Sequence, residues 1–227
     1  MKPHYQVLAA ELIAQIERAR EATYAQLSAV EASARTLLAS ISMPDAPILD
    51  RLRFDSPVGT EAERAAGPVW PGDWFDATGY AYQYPSTMNR SDYHTGVDLN
   101  RPNYKDAGAP VHACADGVVV VSARFPVWLD LVVVKHSLEN GEARWSRYAH
   151  LKNRTVARGQ RVRRGDLLAY IGDYGSAGPA GDHLHFDLAV ADIGAHPTDW
   201  PGADLARLKR DYVDPLLFIR ERHSGAP

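Results

Sequence analysis

A single cysteine, Cys114, is present, so no intrachain disulfide can form and no thiolate cluster can hold a metal. Set in Val-His-Ala-Cys-Ala, it reads as a small buried apolar residue. Long apolar runs are also missing. Glu11, Gln15 and Glu17 break up the amino-terminal stretch, so no secretory signal and no membrane span is expected, and synthesis in the cytoplasm is. Charge of one sign is scarce too. With 25 Lys and Arg against 28 Asp and Glu, the formal net charge of -3 excludes a general pull towards nucleic acid or an anionic membrane. No His-Glu-x-x-His, internal repeat or low-complexity tract occurs. Any metal site must therefore be built from histidines and carboxylates.

The 227 residues have room for one fair-sized domain with extra elements, and 45% hydrophobic with 23% charged residues fits a globular protein. Residues 1–43 read as a long amphipathic helix resembling a coiled coil. Ile13, Ile16, Arg20, Thr23, Leu27, Val30, Ala34, Leu37 and Ile41 follow alternating steps of three and four. Such a helix either self-associates, binds a partner, or packs on its own domain. Met43-Pro44-Asp45-Ala46-Pro47 ends it, because proline cannot continue a helix. Residues 44–76 read as a connector rich in Pro, Gly and Trp, with Trp70 and Trp74 packing it onto its neighbour.

From residue 77 the texture becomes short β-rich runs between glycines, at 117–121, 129–134, 166–171 and 184–188. No amphipathic helices of 10–15 residues alternate with them. The expected fold class is mostly β: an antiparallel sheet with an open groove over residues 77–222, followed by a tail at 223–227.

Two of the nine histidines sit in His183-Leu184-His185, inside a strand-like run. Residues two apart on a strand share a face, so both imidazoles enter one groove while Leu184, Phe186 and Leu188 face a core. A second element, His94-Thr95-Gly96-Val97-Asp98, places His94 and Asp98 on one side if extended, with Gly96 leaving room between them for something bulky such as an ion. One more histidine gives a His₂Asp set, and catalytic zinc sites typically use three protein ligands. Read alone, these spacings fit a metal site and a pair of satisfied structural histidines equally well.

Five pieces in order tip the balance. They are His-Thr-Gly-Val-Asp (94–98), Gly-Ala-Pro-Val-His-Ala (108–113) leading to Asp-Gly-Val-Val (116–119), Arg-Tyr-Ala-His-Leu (147–151), Val-Arg-Arg-Gly-Asp-Leu-Leu-Ala-Tyr-Ile-Gly (162–172) and Gly-Asp-His-Leu-His-Phe-Asp-Leu (181–188). Together they resemble the lysostaphin-type (LytM-like) zinc metalloendopeptidases that cut peptidoglycan peptides. The resemblance spans about 79–218. It implies one zinc ion per chain on His94, Asp98 and His185, with His150 and His183 as non-ligand catalytic histidines. It also implies a peptidoglycan stem or cross-bridge as substrate and action at the cell wall. With no secretory signal expected, the enzyme would be a phage-type or virion-associated lysin, or a truncated or non-classically exported wall enzyme. One of His150 and His183 would take the proton of water and the other stabilise the oxyanion, in either assignment. Non-catalytic relatives that regulate wall enzymes provide the alternative, opposed by retention of all five residues.

Around this set, Tyr148, Tyr174 and Asp182 are candidates for the substrate groove. Asp182 stands where the family more often has a neutral residue, and a Pro-, Trp- and Arg-containing insertion lies between Asp192 and Asp214. His112 and His136 read as structural. The basic run Arg158–Arg164 reads as a solvated turn.

Overall fold

Branched aliphatic runs in this sequence fold as strands because their side chains pack well on a pleated surface. In the computed structural model, which describes residues 52–66, 69–85, 91–102, 106–173 and 182–223, ten strands form one sheet among the described residues. They are β1 (Phe75–Thr78), β2 (Val97–Asn100), β3 (Pro110–His112), β4 (Gly117–Phe125), β5 (Leu129–Ser137), β6 (Ala143–Lys152), β7 (Arg161–Val162), β8 (Leu167–Ile171), β9 (Leu184–Ala189) and β10 (Tyr212–Val213). Among the described residues three short helices accompany them: α1 (Glu61–Ala66), α2 (Leu205–Asp211) and α3 (Pro215–Arg222). The amino-terminal helix expected over 1–43, and with it any self-association through it, lies outside the described residues, as does Tyr174.

The strand order is β1-β2-β9-β6-β5-β4-β7, with β10 on β9 and β8 joining β3 to β6. Every pairing is antiparallel, as the sequence pattern requires. Alternation along β5, β6 and β9 gives the sheet two apolar faces. Val132, Val134, Tyr148, Leu184, Phe186 and Leu188 belong to the first, together with Phe54 and Val58. Burying side chains of this size contributes about 1.5–3 kcal/mol each.

Phe54 and Val58 are fully buried, and the Phe54 and Asp55 amides bond to the Arg222 and Cys114 carbonyls. Trp70 and Trp74 pack against the same cluster. Much of the stretch read as a connector is therefore a wall of the core, within the compact unit Leu49–Pro227.

Leu131, Val133, Trp145, Ala149 and Ala189 belong to the second face, which Ile193, Leu208 and Tyr212 cover in part. These three come from the 192–214 insertion. Asp204 caps α2 by accepting the Arg207 amide at 2.9 Å, and Asp214 caps α3 with Pro215 in the first turn. What the insertion leaves uncovered on this face holds the histidines. No helix of the described residues is long and apolar enough to cross a membrane.

Candidate metal centre

Cross-strand register builds the centre. In the β2–β9 ladder Asp98 stands opposite His185, and His94 lies four residues before Asp98 at the mouth of β2. The His94 amide and carbonyl bond to Tyr82 and Ala81, which holds that mouth in place. Gly96 serves this closure and leaves no room for an ion, contrary to the sequence reading. A Cβ there would lie 2.1 Å from the Phe186 carbonyl oxygen, so only glycine lets the chain approach β9.

Three donor atoms converge. His94 Nε2 is 2.9 Å from His185 Nδ1, and Asp98 Oδ1 lies 3.1 Å from the first and 3.2 Å from the second. The remaining ring nitrogens decide which tautomers are present. His94 Nδ1 faces the Gly79 carbonyl at 3.1 Å, and His185 Nε2 faces Asp187 Oδ2 at 3.0 Å. Both partners only accept, so each of these nitrogens carries a hydrogen in the neutral ring. The converging nitrogens are then both lone pairs, aimed at each other and at a carboxylate. Such a cluster is repulsive without a cation between its members.

Zinc fits that requirement. Ligands 2.0–2.1 Å from one tetrahedral ion stand about 3.3 Å apart, close to the spacings seen here. In the metal-free protein a proton is the substitute. Burial alone would lower the His185 pKa, but hydrogen bonds to Asp187 and Asp98 outweigh it and raise the value. Asp98 is pushed up by burial, yet His94 and His185 hold it well below the usual carboxylate range.

Behind His185 stands a buried ion pair. Asp187 Oδ2 accepts from Arg147 Nε at 3.0 Å, from Arg147 Nη2, and from Thr95 Oγ1 at 2.7 Å, in addition to His185. Both Arg147 and Asp187 are fully buried. Burial would raise the Asp187 pKa, but the adjacent guanidinium holds it far below the carboxylate range. A carboxylate behind a ligating imidazole fixes both its tautomer and its orientation. Sequence reading missed this layer. Its signal was the period of two on β9, which aligns Asp187 with His183 and His185, and the register that sets Arg147 opposite Asp187.

His150 and His183 lie beside His94, Asp98 and His185. Their ring centroids are 4.7 Å apart, and His150 is 6.1 Å from His185. His183 Nε2 is 3.7 Å from Asp98 Oδ1. Strict alternation on β6 would send His150 after Ser146 and Tyr148 into the first core. Instead its φ is 63°, a left-handed conformation uncommon for a residue with a side chain, and the ring turns to the histidine face. Its amide donates to the Trp128 carbonyl and its carbonyl accepts from Gly172, which hold the reversal. Burial, then the neighbouring His183 and His185, push its pKa well below the imidazole range, so His150 is neutral.

Tyr148 does not line the groove. It is fully buried on the opposite face, where its hydroxyl accepts the Cys114 amide at 2.9 Å and bonds Ser146 Oγ at 3.0 Å. Parity explains this: Tyr148 pairs with Phe186, whose side chain faces the core. Asp182 is half-buried and precedes His183, and its carbonyl accepts from Asn100. His112 bonds the Gly165 carbonyl and lines a cavity of about 490 Å³ with Trp74 and Arg101, which shares no residue with the three ligands. His136 is a core residue.

Residues 92–198 match the model of peptidase family M23. The peptidoglycan DD-endopeptidase ShyA of Vibrio cholerae is 36% identical over 97 residues, covering 43% of this chain and 20% of its own length. ShyB of the same organism is 35% identical over 112 residues, covering 49% and 23%. The chain thus spans about a fifth of the length of these relatives. A crystal structure of CbpA from L. salivarius REN shares the fold, with a TM-score of 0.52 and 17% identity over 77% of this chain and 99% of that one. Residues 92–198 therefore carry a domain of the peptidase family M23 type.

Proposed function

We propose that this chain is a zinc-dependent endopeptidase that hydrolyses peptide bonds in peptidoglycan stem peptides or cross-bridges, acting at the cell wall. The observation that carries the reading is the meeting of two imidazole lone pairs and a carboxylate, with two further imidazoles beside them. The substrate class draws on the DD-endopeptidase relatives. Bound between His94, Asp98 and His185, zinc would supply Lewis acidity, polarising the scissile carbonyl and lowering the pKa of water towards about 7.

The chain's own residues do the rest. Neutral His150 is suited to accept the proton of the attacking water, since it enters the reaction without one. His183, next to Asp98, is placed to donate a hydrogen bond to the oxygen that gains charge as the carbonyl becomes tetrahedral. Asp187 and Arg147 keep the His185 lone pair directed at the site. A purely regulatory role would require none of these features, and all are present.

Digestion of purified sacculi, with the products read by mass spectrometry, tests the proposal. Wild type should release peptide fragments, and His183→Ala at full zinc occupancy should release none. Equal release by both, or no cleavage by a zinc-loaded wild type across several wall types, would overturn it.

A further inference from the structure

His183 stands beyond the ladders that hold the strand it leads into. The β2–β9 pairing ends at Leu99–Leu184 and the β6–β9 pairing at Ala149–His185, one and two residues short of it. Continuing the β2–β9 register by one step brings Asn100 level with His183. There a side chain takes over from the ladder. Asn100 Nδ2 donates at 3.1 Å to the Asp182 carbonyl, which belongs to the peptide that enters His183. A peptide is planar, so fixing its carbonyl also fixes the His183 nitrogen and Cα.

The amide is itself locked. Its Nδ2 also donates to Asp106 Oδ2 at 3.2 Å, and Asp106 Oδ1 accepts the Arg101 amide at 2.8 Å. Both partners of the nitrogen accept, so each takes one of its two hydrogens and the orientation of the side chain is settled. Asn100 and Asp106 are both fully buried. Among the described residues no partner meets Asn100 Oδ1, although it too is buried. An apolar side chain would avoid the cost of that unpaired oxygen, so packing does not account for the residue. Its nitrogen does, because it reaches the carbonyl in front of His183.

We propose that Asn100 and Asp106 are positioning residues, holding the Asp182–His183 peptide so that the His183 imidazole meets the oxygen of the carbonyl under attack. The inference rests on the endopeptidase reading and gives that site a support separate from its metal ligands. Asn100 is two residues from Asp98 on β2, so a merely structural role would reach the metal as well. A role through His183 leaves the metal alone.

Steady-state kinetics on a soluble cross-linked stem peptide, with zinc affinity measured alongside, separate the two. In Asn100→Ala, kcat should fall by about 10–100-fold, the cost of a misplaced catalytic group, while KM and zinc affinity stay within about twofold. The exchange of Asn100→Asp with Asp106→Asn returns a bond between the two side chains but leaves the Asp182 carbonyl facing an oxygen. It should be as slow as Asn100→Ala. Full activity in either variant, or zinc affinity falling in step with kcat, would overturn the proposal.

Histidine ring resonances of the zinc-loaded protein, read by NMR, report the placement without turnover. Those of His183 should shift in Asn100→Ala while those of His94 and His185 stay in place. Unchanged His183 resonances in folded Asn100→Ala would also overturn the proposal. Absence of hydrolysis by zinc-loaded wild type would sink the endopeptidase reading and the positioning role with it, while the resonances would still show whether Asn100 places His183.

Discussion

His136 and His185 are buried to nearly the same degree, 0% and 2% exposed, on the two strands that flank β6. They face opposite sides of one sheet, and their neighbours differ in one respect. His136 meets the Asp116 carbonyl and the Ser146 hydroxyl at 2.8 Å each, with the Cys114 thiol at 3.8 Å. Among the described residues no carboxylate is hydrogen-bonded to its ring, and burial pushes its pKa down to about 4. His185 meets two carboxylates and another imidazole, and its pKa is raised. Burial by itself makes an inert histidine. Carboxylates on both sides of the ring make one that needs a cation.

Removing a carboxylate from the charged side should do the most. Asp98→Asn leaves two lone pairs without their counter-charge, so zinc content should fall to background and peptide release with it, measured by metal analysis and sacculus digestion. Asp187→Asn acts one layer back. Zinc affinity should weaken by about 10–100-fold, since the His185 tautomer is no longer enforced. The unpaired buried Arg147 should also cost the fold about 3–5 kcal/mol, read by urea unfolding with a chelator competition alongside.

On the neutral side the effect belongs to pH. His136 binds a proton near pH 4 when folded and near 6.5 when unfolded, so the unfolded state holds more protons between those values. The stability it contributes is full above pH 6.5 and is lost as pH falls towards 4, by about 2 kcal/mol between pH 7 and 5. His136→Gln should flatten that part of the profile in the metal-free protein. His185 has the opposite sign there: its contribution is full below 6.5 and is lost as pH rises through the raised folded value. The smallest effect is expected from Tyr148→Phe. It removes bonds to Cys114 and Ser146, costing about 1–2 kcal/mol, and should leave kcat/KM unchanged because the ring is on the wrong face for substrate.

The same comparison explains what the sequence disclosed. Period-two alternation foretold that His183 and His185 share a face and that Leu184, Phe186 and Leu188 oppose it, because strand parity is a local property. Parity also carried Asp187 and Arg147, although only the register of β6 on β9 reveals that they meet. His150 breaks parity through one left-handed residue, which no pattern of hydrophobicity encodes. The same reversal puts the rings of His150 and Tyr148 on opposite faces, which is why Tyr148, a groove candidate in the sequence, lies in the core. Gly96 suggests space in the sequence, and in the structure it is a point of close contact with β9.

The most direct measurement is a zinc titration of the metal-free protein beside His185→Ala and His136→Ala, with unfolding followed in parallel. The account predicts about one tight site in wild type and in His136→Ala, and loss of that site in His185→Ala while the chain remains folded. Tight zinc binding retained by folded His185→Ala, or lost from folded His136→Ala, would contradict it.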